Sequence, residues 1–224
     1  MDISPKLSVV ICVYNEEANI APLYEQIQMA LKGIDSEVMV YITISTGIGG
    51  GLIFNEKVFH GSNDGAGEVG HMIIEPAGPK CGFGQHRGCL EAMASGTAIT
   101  RNVKAELKNN PDKYLEKYKG KIKDINGADI AKAAQAGDKL AQKVYQEAGK
   151  YLGIGVANLI NLFNPDTIVF GGGVMKAKEL FWIEMLKSVE NNALSASAND
   201  CEFLEAALGD NTGVIGAIAV AIKG

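Results

Sequence analysis

A glycine-rich turn between two apolar segments constrains the fold of this chain more than any other feature. Four of the five residues from Gly47 to Gly51 are glycine. Apolar residues alternate before this turn and recur after it, which predicts two strands, at Ile42, Ile44, Ile48, Leu52 and Ile53. Glycine weakens a strand, so its concentration here indicates that another group approaches the backbone closely. The turn's N–H groups and the Thr46 hydroxyl suit phosphate oxygens, although a tight hairpin without a ligand is the alternative.

Four further motifs follow the turn in a defined order. They read GAGEVGH at residues 65–71, GCLEAMASGTAI at 88–99, NPDTIVFGGGV at 164–174 and LGDNTGVIGA at 208–217. Each is weak alone, but in this order and spacing the chain from Tyr41 onward resembles the ROK family of repressors, open reading frames and sugar kinases. The kinases of that family phosphorylate glucose, N-acetylmannosamine and related hexoses. The resemblance therefore implies a glucokinase-like enzyme that takes a hexose or N-acetylhexosamine, ATP and Mg²⁺.

The same resemblance implies an α/β fold for residues 41–224. The expected architecture is the ribonuclease H-like C-terminal lobe of the actin-like ATPase superfamily, with a mixed sheet whose opening strands are antiparallel. ATP is expected between the glycine turn and a second glycine corner that follows a later strand. The nucleotide-binding residues implied in this way are Thr46, Gly47, Gly49, Gly50, Gly171, Gly172 and Gly173.

Three side chains are implied to bind the sugar. By resemblance, Glu68 and His71 face the sugar hydroxyls, and Glu91 contacts the sugar near its anomeric end. Carboxylates accept hydrogen bonds from paired hydroxyls, which agrees with these roles. Glu68 lies among glycines and has little reason in local structure to be there. Glu91 opens a helix, so an interaction with the helix dipole alone is its alternative role.

A cluster of histidine and cysteine is implied to hold structural zinc. ROK proteins bind the ion through the histidine of a Gly-His pair and three cysteines, and His71, Cys81 and Cys89 match that pattern. Phe83 stands where the middle cysteine belongs. Zinc requires four nitrogen or sulfur ligands in a tetrahedron, and His86 is the nearby residue that could supply the fourth. The alternative is a zinc-free loop with two buried, reduced thiols.

The first forty residues predict a separate segment, a strand–helix–strand addition. Its sequence around residues 14–20 resembles the start of a family 2 glycosyltransferase, but the acidic motifs such an enzyme needs do not follow. The Asp-x-Gly-Gly-Thr turn with which ROK kinases open is also not found. A boundary is therefore predicted between segments 1–40 and 41–224, with the N-terminal kinase lobe missing.

Glu17 is the candidate catalytic base, because it falls where ROK kinases place an aspartate in a strand-to-helix corner. A glutamate at a helix start, favoured by the dipole, is the alternative. A longer carboxylate displaces the base, and a displacement of about 1 Å can lower the rate roughly 10²-fold. With one lobe missing, the expected kinase activity is low or zero, and a non-catalytic sugar-binding or oligomerisation module is the alternative function.

Composition excludes several other classes. The formal charge of −5 argues against nonspecific nucleic-acid or membrane binding, and no apolar run is long enough for a span. Four cysteines in 224 residues do not form a secreted disulfide framework, so a cytoplasmic protein is expected.

Helical periodicity runs from Asp129 to Phe163 and is broken near residues 136–138, where Asp138 can cap the second helix. Asn164-Pro165 is predicted to end that helix, residues 167–170 are predicted to form a short buried strand, and a further helix is predicted from about residue 176 to 192. Glycines in its second half predict close packing on a neighbouring backbone or on a partner subunit, hence a homodimer. Residues 104–123 are predicted to be a solvated helical surface.

Overall fold

The computed structural model of this protein describes residues 37–55, 57–109, 122–209 and 216. Glu17 and nearly all of the predicted glycosyltransferase-like segment lie outside the described residues. The first described strand runs from Val38 to Ile44 and so contains residues on both sides of position 40. The domain boundary at that position stays a prediction.

A five-stranded mixed sheet organises the described residues. Its strands are β1 (Val38–Ile44), β2 (Ile48–Phe54), β3 (Lys57–Val58), β4 (Thr167–Gly171) and β5 (Glu202–Glu205). Their spatial order is β3-β2-β1-β4-β5. The β1–β2 and β2–β3 pairs are antiparallel, whereas β4 lies parallel to both β1 and β5. The predicted hairpin and the predicted strand at 167–170 are therefore confirmed, but the turn itself is formed by residues 45–47, because Gly49, Gly50 and Gly51 lie in β2.

Within the described residues, helices follow β3 and β4. The α-helices are α1 (Leu90–Ala94), α2 (Gly96–Asn109), α3 (Gly127–Gln135), α4 (Lys139–Phe163), α5 (Trp182–Asn192) and α6 (Ser195–Asp200). Short 3-10 segments cover Val69–His71, Ile122–Asp124 and Gly173–Leu180. The backbone of the last segment leaves the helical region at Ala177. A continuous helix from 176 to 192 was expected, but the kink and the separate start of α5 at Trp182 replace it.

The boundaries of α4 follow from its capping residues. The Asp138 carboxylate accepts a hydrogen bond from the Ala141 N–H at 2.9 Å, which satisfies a donor that the helix itself leaves without a partner. At the other end Asn164 adopts a left-handed conformation, with φ 45° and ψ 56°, immediately before Pro165. The break predicted at Asp138 and the helix end predicted at Asn164–Pro165 are both confirmed.

The core lies between the sheet and the long helix α4. Its largest fully buried side chains include Phe170 and Ile42 from the central strands, Leu152 and Ile160 from α4, and Phe181. The glycines of α4 allow close contact within the chain, because Gly149 lies against the Phe181 backbone and Gly153 lies against Ser188 of α5. The predicted close packing is thus observed inside the chain, and homodimerisation stays a prediction.

Candidate functional site

A cleft of about 1090 Å³ opens beside the glycine turn. Thr46 of the turn forms one wall, and helices α2 and α3 form the walls next to it. Gly173 and Lys176 close the fourth side, just beyond the end of β4. The cleft therefore lies where the carboxyl ends of the parallel strands β1 and β4 meet, a position that binds ligands in α/β folds.

Backbone bonds to the start of α2 hold the glycine turn in place. The Gly96 N–H donates to the Ser45 carbonyl at 2.8 Å, and the Thr97 N–H donates to the Thr46 carbonyl at 3.2 Å. A side chain also contributes, since the Ile48 N–H donates to Glu91 Oε2 at 3.0 Å. The turn that was predicted from glycine content is thus fixed by residues some fifty positions later in the chain.

Some of the residues predicted to bind nucleotide line the cleft, and the others lie in the strands and the turn beside it. Thr46 and Gly173 line the cleft. Gly49 and Gly50 lie inside β2, and Gly171 ends β4. Gly172 has a φ of 94° and its α-carbon lies against the Ile44 backbone, so a side chain there would overlap β1. Gly47 lies against the Glu91 carboxylate.

Basic side chains on three elements line the cleft, and sequence reasoning missed them. They are Arg101, Lys104, Lys108, Lys132 and Lys176, and none of the described lining residues is acidic. This concentration stands out in a chain whose formal charge is −5. Residues 101, 104 and 108 share one face of α2, so the helical spacing was visible in the sequence. The surface predicted from residue 104 onward instead forms part of a cleft wall.

A hydrogen bond positions Arg101 in the cleft, and burial shifts the pKa values of Arg101 and Tyr145. The Arg101 guanidinium donates from Nη2 to the Ala92 carbonyl at 2.8 Å, which holds it at the cleft edge. Burial lowers the pKa of Arg101 from its ordinary value. Burial, with the charge of Glu179, raises the pKa of Tyr145 to about 12, so its hydroxyl stays protonated at neutral pH.

A second site lies in the loop before α1, where four potential metal ligands meet. One ligand atom each from His71, Cys81, His86 and Cys89 lies within 4.8 Å of the other three. The Cys81 sulfur and His71 Nδ1 are 3.5 Å apart. His86 Nε2 is buried and has no hydrogen-bond partner. Leaving a buried polar atom without a partner costs free energy, so this nitrogen is suited to coordinating a metal ion. All four predicted metal ligands are brought together.

Backbone geometry forms this loop into a compact hairpin. Isolated bridges join Lys80 to Arg87 and Ile73 to Cys89, and the Cys81 N–H donates to the His86 carbonyl at 3.0 Å. Both ligand cysteines are buried. Burial, and then the neighbouring Cys81, raise the pKa of the Cys89 thiol. Two buried thiols beside two imidazoles are a donor set suited to zinc, which stabilises the thiolate form.

Glu68, a predicted sugar residue, lies on the side of His71 opposite to the cysteine cluster. Glu68 precedes the 3-10 segment Val69–His71, and its Oε2 lies 3.8 Å from His71 Nε2. The Glu68 side chain is 67% exposed, so it is accessible to a ligand. His71 therefore presents Nδ1 to the cysteine cluster and Nε2 to Glu68. Glu91, the third predicted sugar residue, contacts the glycine turn instead of these two in the structure.

Comparison with known proteins identifies the family. The model of the ROK family matches residues 2–224, almost the whole chain and including the first forty residues. The chain belongs to the ROK family. Glucokinase from Halalkalibacterium halodurans is 38% identical over 94% of this chain and 62% of its own length. The xylose repressor of Bacillus subtilis is 31% identical over 98% of this chain and 52% of its length.

Solved structures agree with the ROK assignment. A ROK glucokinase from Streptomyces griseus, crystallised with glucose and AMPPNP, superposes with a TM-score of 0.76 at 31% identity, over 95% of this chain and 68% of that one. The mixed α/β sheet with flanking helices is thus the ROK sugar kinase fold, and the predicted actin-like ATPase fold is confirmed. The chain spans roughly half to three fifths of the length of the curated relatives it matches. Among helices of the described residues, not one has the length and apolar character to cross a bilayer.

Proposed function

We propose that this chain carries the nucleotide and sugar sites of an ATP-dependent hexose kinase of the glucokinase class. The observation that supports this most is the basic cleft beside the glycine turn. Polyphosphate groups carry several negative charges, and a cleft with five basic and no acidic residues among its described lining attracts them. Thr46 and the turn's backbone contribute hydrogen-bond donors at the same place.

The hexose or N-acetylhexosamine site is formed by Glu68 and His71. The Glu68 carboxylate accepts hydrogen bonds from sugar hydroxyls, and His71 Nε2 completes the polar pair. Phosphoryl transfer depends mainly on positioning and charge stabilisation, so the residues of this chain act by binding and orienting the two substrates. The Mg²⁺ that accompanies ATP would enter with the nucleotide. Glu91 remains a proposed third sugar contact.

The cysteine–histidine cluster is proposed to hold one structural zinc ion through His71 Nδ1, Cys81, Cys89 and His86. The buried, unpartnered His86 Nε2 supports a Cys2His2 ligand set. Bound zinc supplies a fixed tetrahedral centre for the loop. A His71 ring held at Nδ1 has a fixed orientation, which directs Nε2 toward Glu68 and the proposed sugar site.

A non-catalytic sugar-binding module is the second candidate. The xylose repressor, which this chain matches over 98% of its residues, is a regulator by name, so the shared fold also serves proteins that are not called kinases. Homodimerisation and a cytoplasmic location are further proposals that rest on the sequence. Strong nucleic-acid binding by this chain is not expected, because its formal charge is −5.

Binding and turnover separate the two candidates. Titration with AMPPNP should show saturable binding, and the double variant Lys108→Ala, Lys132→Ala should weaken it by about tenfold or more for each lysine removed, since each charged hydrogen bond contributes about 1.5–3 kcal/mol. Lys187→Ala is the matched control, because Lys187 pairs with Glu184 on α5 away from the cleft. If the protein binds glucose but not AMPPNP, the kinase proposal is wrong and the sugar module is favoured.

Turnover of the chain alone is expected at or near background in an ADP-release assay with a hexose panel. General-base catalysis requires a carboxylate within hydrogen-bond reach of the sugar hydroxyl, and Glu17 is the proposed base. Residual activity should then depend on Glu17 and rise when Glu16→Asn and Glu17→Asp are combined. Fast turnover that survives Glu17→Ala would contradict this assignment.

A further inference from the structure

The Glu91 side chain connects the metal-ligand loop, residues 71–89, to the glycine turn. Glu91 lies in the first turn of α1, two residues after Cys89, which caps that helix. Its Oε2 accepts a hydrogen bond from the Ile48 N–H at 3.0 Å, across 43 positions of sequence. A carboxylate acceptor makes this a charge-assisted bond, which is stronger than a neutral one.

The turn is shaped to receive that carboxylate. A β-carbon on Gly47 would overlap Glu91 Oε2, so glycine at this position leaves the space that the carboxylate occupies. The turn closes on itself through the Ser45 N–H, which donates to the Gly47 carbonyl at 2.8 Å. Glu91 is thus in contact with one end of the turn, while Gly96 and Thr97 bond to the other end.

We infer that Glu91 is a positioning residue for the nucleotide. By holding the Ile48 N–H, it fixes residues 45–48 so that Thr46 faces the cleft in the orientation that phosphate oxygens require. This inference rests on the proposed nucleotide site and adds to Glu91 a role separate from sugar contact. The energetic reason is preorganisation, since a turn already fixed loses less conformational entropy when a ligand binds.

Two substitutions of Glu91 test the inference by AMPPNP affinity measured without hexose. Glu91→Ala removes the acceptor and should weaken AMPPNP binding about tenfold. Glu91→Gln keeps an amide oxygen of the same reach and should stay within about threefold of wild type, because its carbonyl can accept from the same N–H. Leaving out the hexose excludes any effect that acts through sugar contact.

Substitutions of two glycines, Gly47 and Gly51, supply a second test that leaves Glu91 itself unchanged. Gly47→Ala forces the carboxylate away from the turn and should weaken AMPPNP binding to a similar degree as Glu91→Ala. Gly51→Ala is the matched control, because a β-carbon at Gly51 meets no heavy atom within 4 Å. Its AMPPNP affinity should match wild type. Circular dichroism and thermal melting report whether each variant is folded.

The outcomes distinguish the inference from the function it rests on. No AMPPNP binding by wild-type protein refutes the nucleotide site itself. Wild-type affinity in both Glu91→Ala and Gly47→Ala refutes the positioning role while leaving the site intact. Equal losses in Glu91→Ala and Glu91→Gln also refute it, because they would show that the charge, and not the bond to Ile48, matters. If Glu91→Ala does not fold, the AMPPNP affinity of Gly47→Ala relative to that of Gly51→Ala decides whether the positioning role holds.

Discussion

Gly149→Ala should destabilise the protein even though alanine is the better helix former. Gly149 lies inside α4, where replacing glycine with alanine alone would stabilise a helix by about 1 kcal/mol. The new β-carbon would overlap the carbonyl oxygen of Phe181 and would lie 3.1 Å from its Cβ. Phe181 is 1% exposed, so its backbone has little room to move. Such overpacking costs about 1–3 kcal/mol.

The overlap should therefore outweigh the helix propensity, for a net loss of up to about 2 kcal/mol. For a domain of this size, about 1 kcal/mol shifts the melting temperature by roughly 2–4 °C. We expect a decrease of several degrees in thermal melting followed by circular dichroism. Gly127→Ala is the matched control: it opens α3, and its nearest contact would be Thr100 Oγ1 at 3.8 Å, so its melting temperature should be unchanged or higher.

A melting temperature for Gly149→Ala that rises as far as that of Gly127→Ala would refute the reasoning about packing. Size-exclusion chromatography adds a second readout. If Gly149→Ala changed the oligomeric state and left the melting temperature of the monomer unchanged, the glycine face would be an intermolecular contact, as the sequence alternative proposed.

Two further predictions concern the metal and the sugar. Protein purified without added metal should contain about one zinc per chain by elemental analysis, and Cys89→Ser should remove it because a tetrahedral site loses a thiolate; zinc-free but well-folded wild-type protein would contradict this. Millimolar hexose should raise the melting temperature by mass action, and Glu68→Ala should abolish the rise. No shift with glucose, mannose or their N-acetyl forms would argue against the sugar site.

Local patterns predicted the elements of this fold well. The hairpin followed from apolar alternation around glycine, and the start of α4 followed from one capping residue, Asp138, whose bond lies within the same helix turn. The meeting of His71, Cys81, His86 and Cys89 could also be predicted, because the four residues lie within about twenty positions of each other along the chain. In each case the physical cause is short-range in sequence.

Long-range contacts account for what the sequence did not predict. The basic wall of the cleft needs α2, α3 and Lys176 to meet, and helical spacing on α2 alone cannot reveal its neighbours. Glu91 could be read locally only as a helix-start acid or a sugar contact, because its partner Ile48 lies 43 positions away. Local propensity did not predict the kink at Ala177 either.

The parallel pairing of β1 with β4 has a consequence for the order in which parts of this protein form. That pairing places Met39 beside Thr167, whereas the metal-ligand loop closes between residues 71 and 89. Closing a longer loop of chain costs more entropy and is slower. During synthesis on a ribosome, the metal-ligand loop is complete well before β4 emerges, so the loop can fold first. The cleft, which needs Gly173 for one of its walls, forms late, so a chain interrupted before that residue would lack a complete cleft.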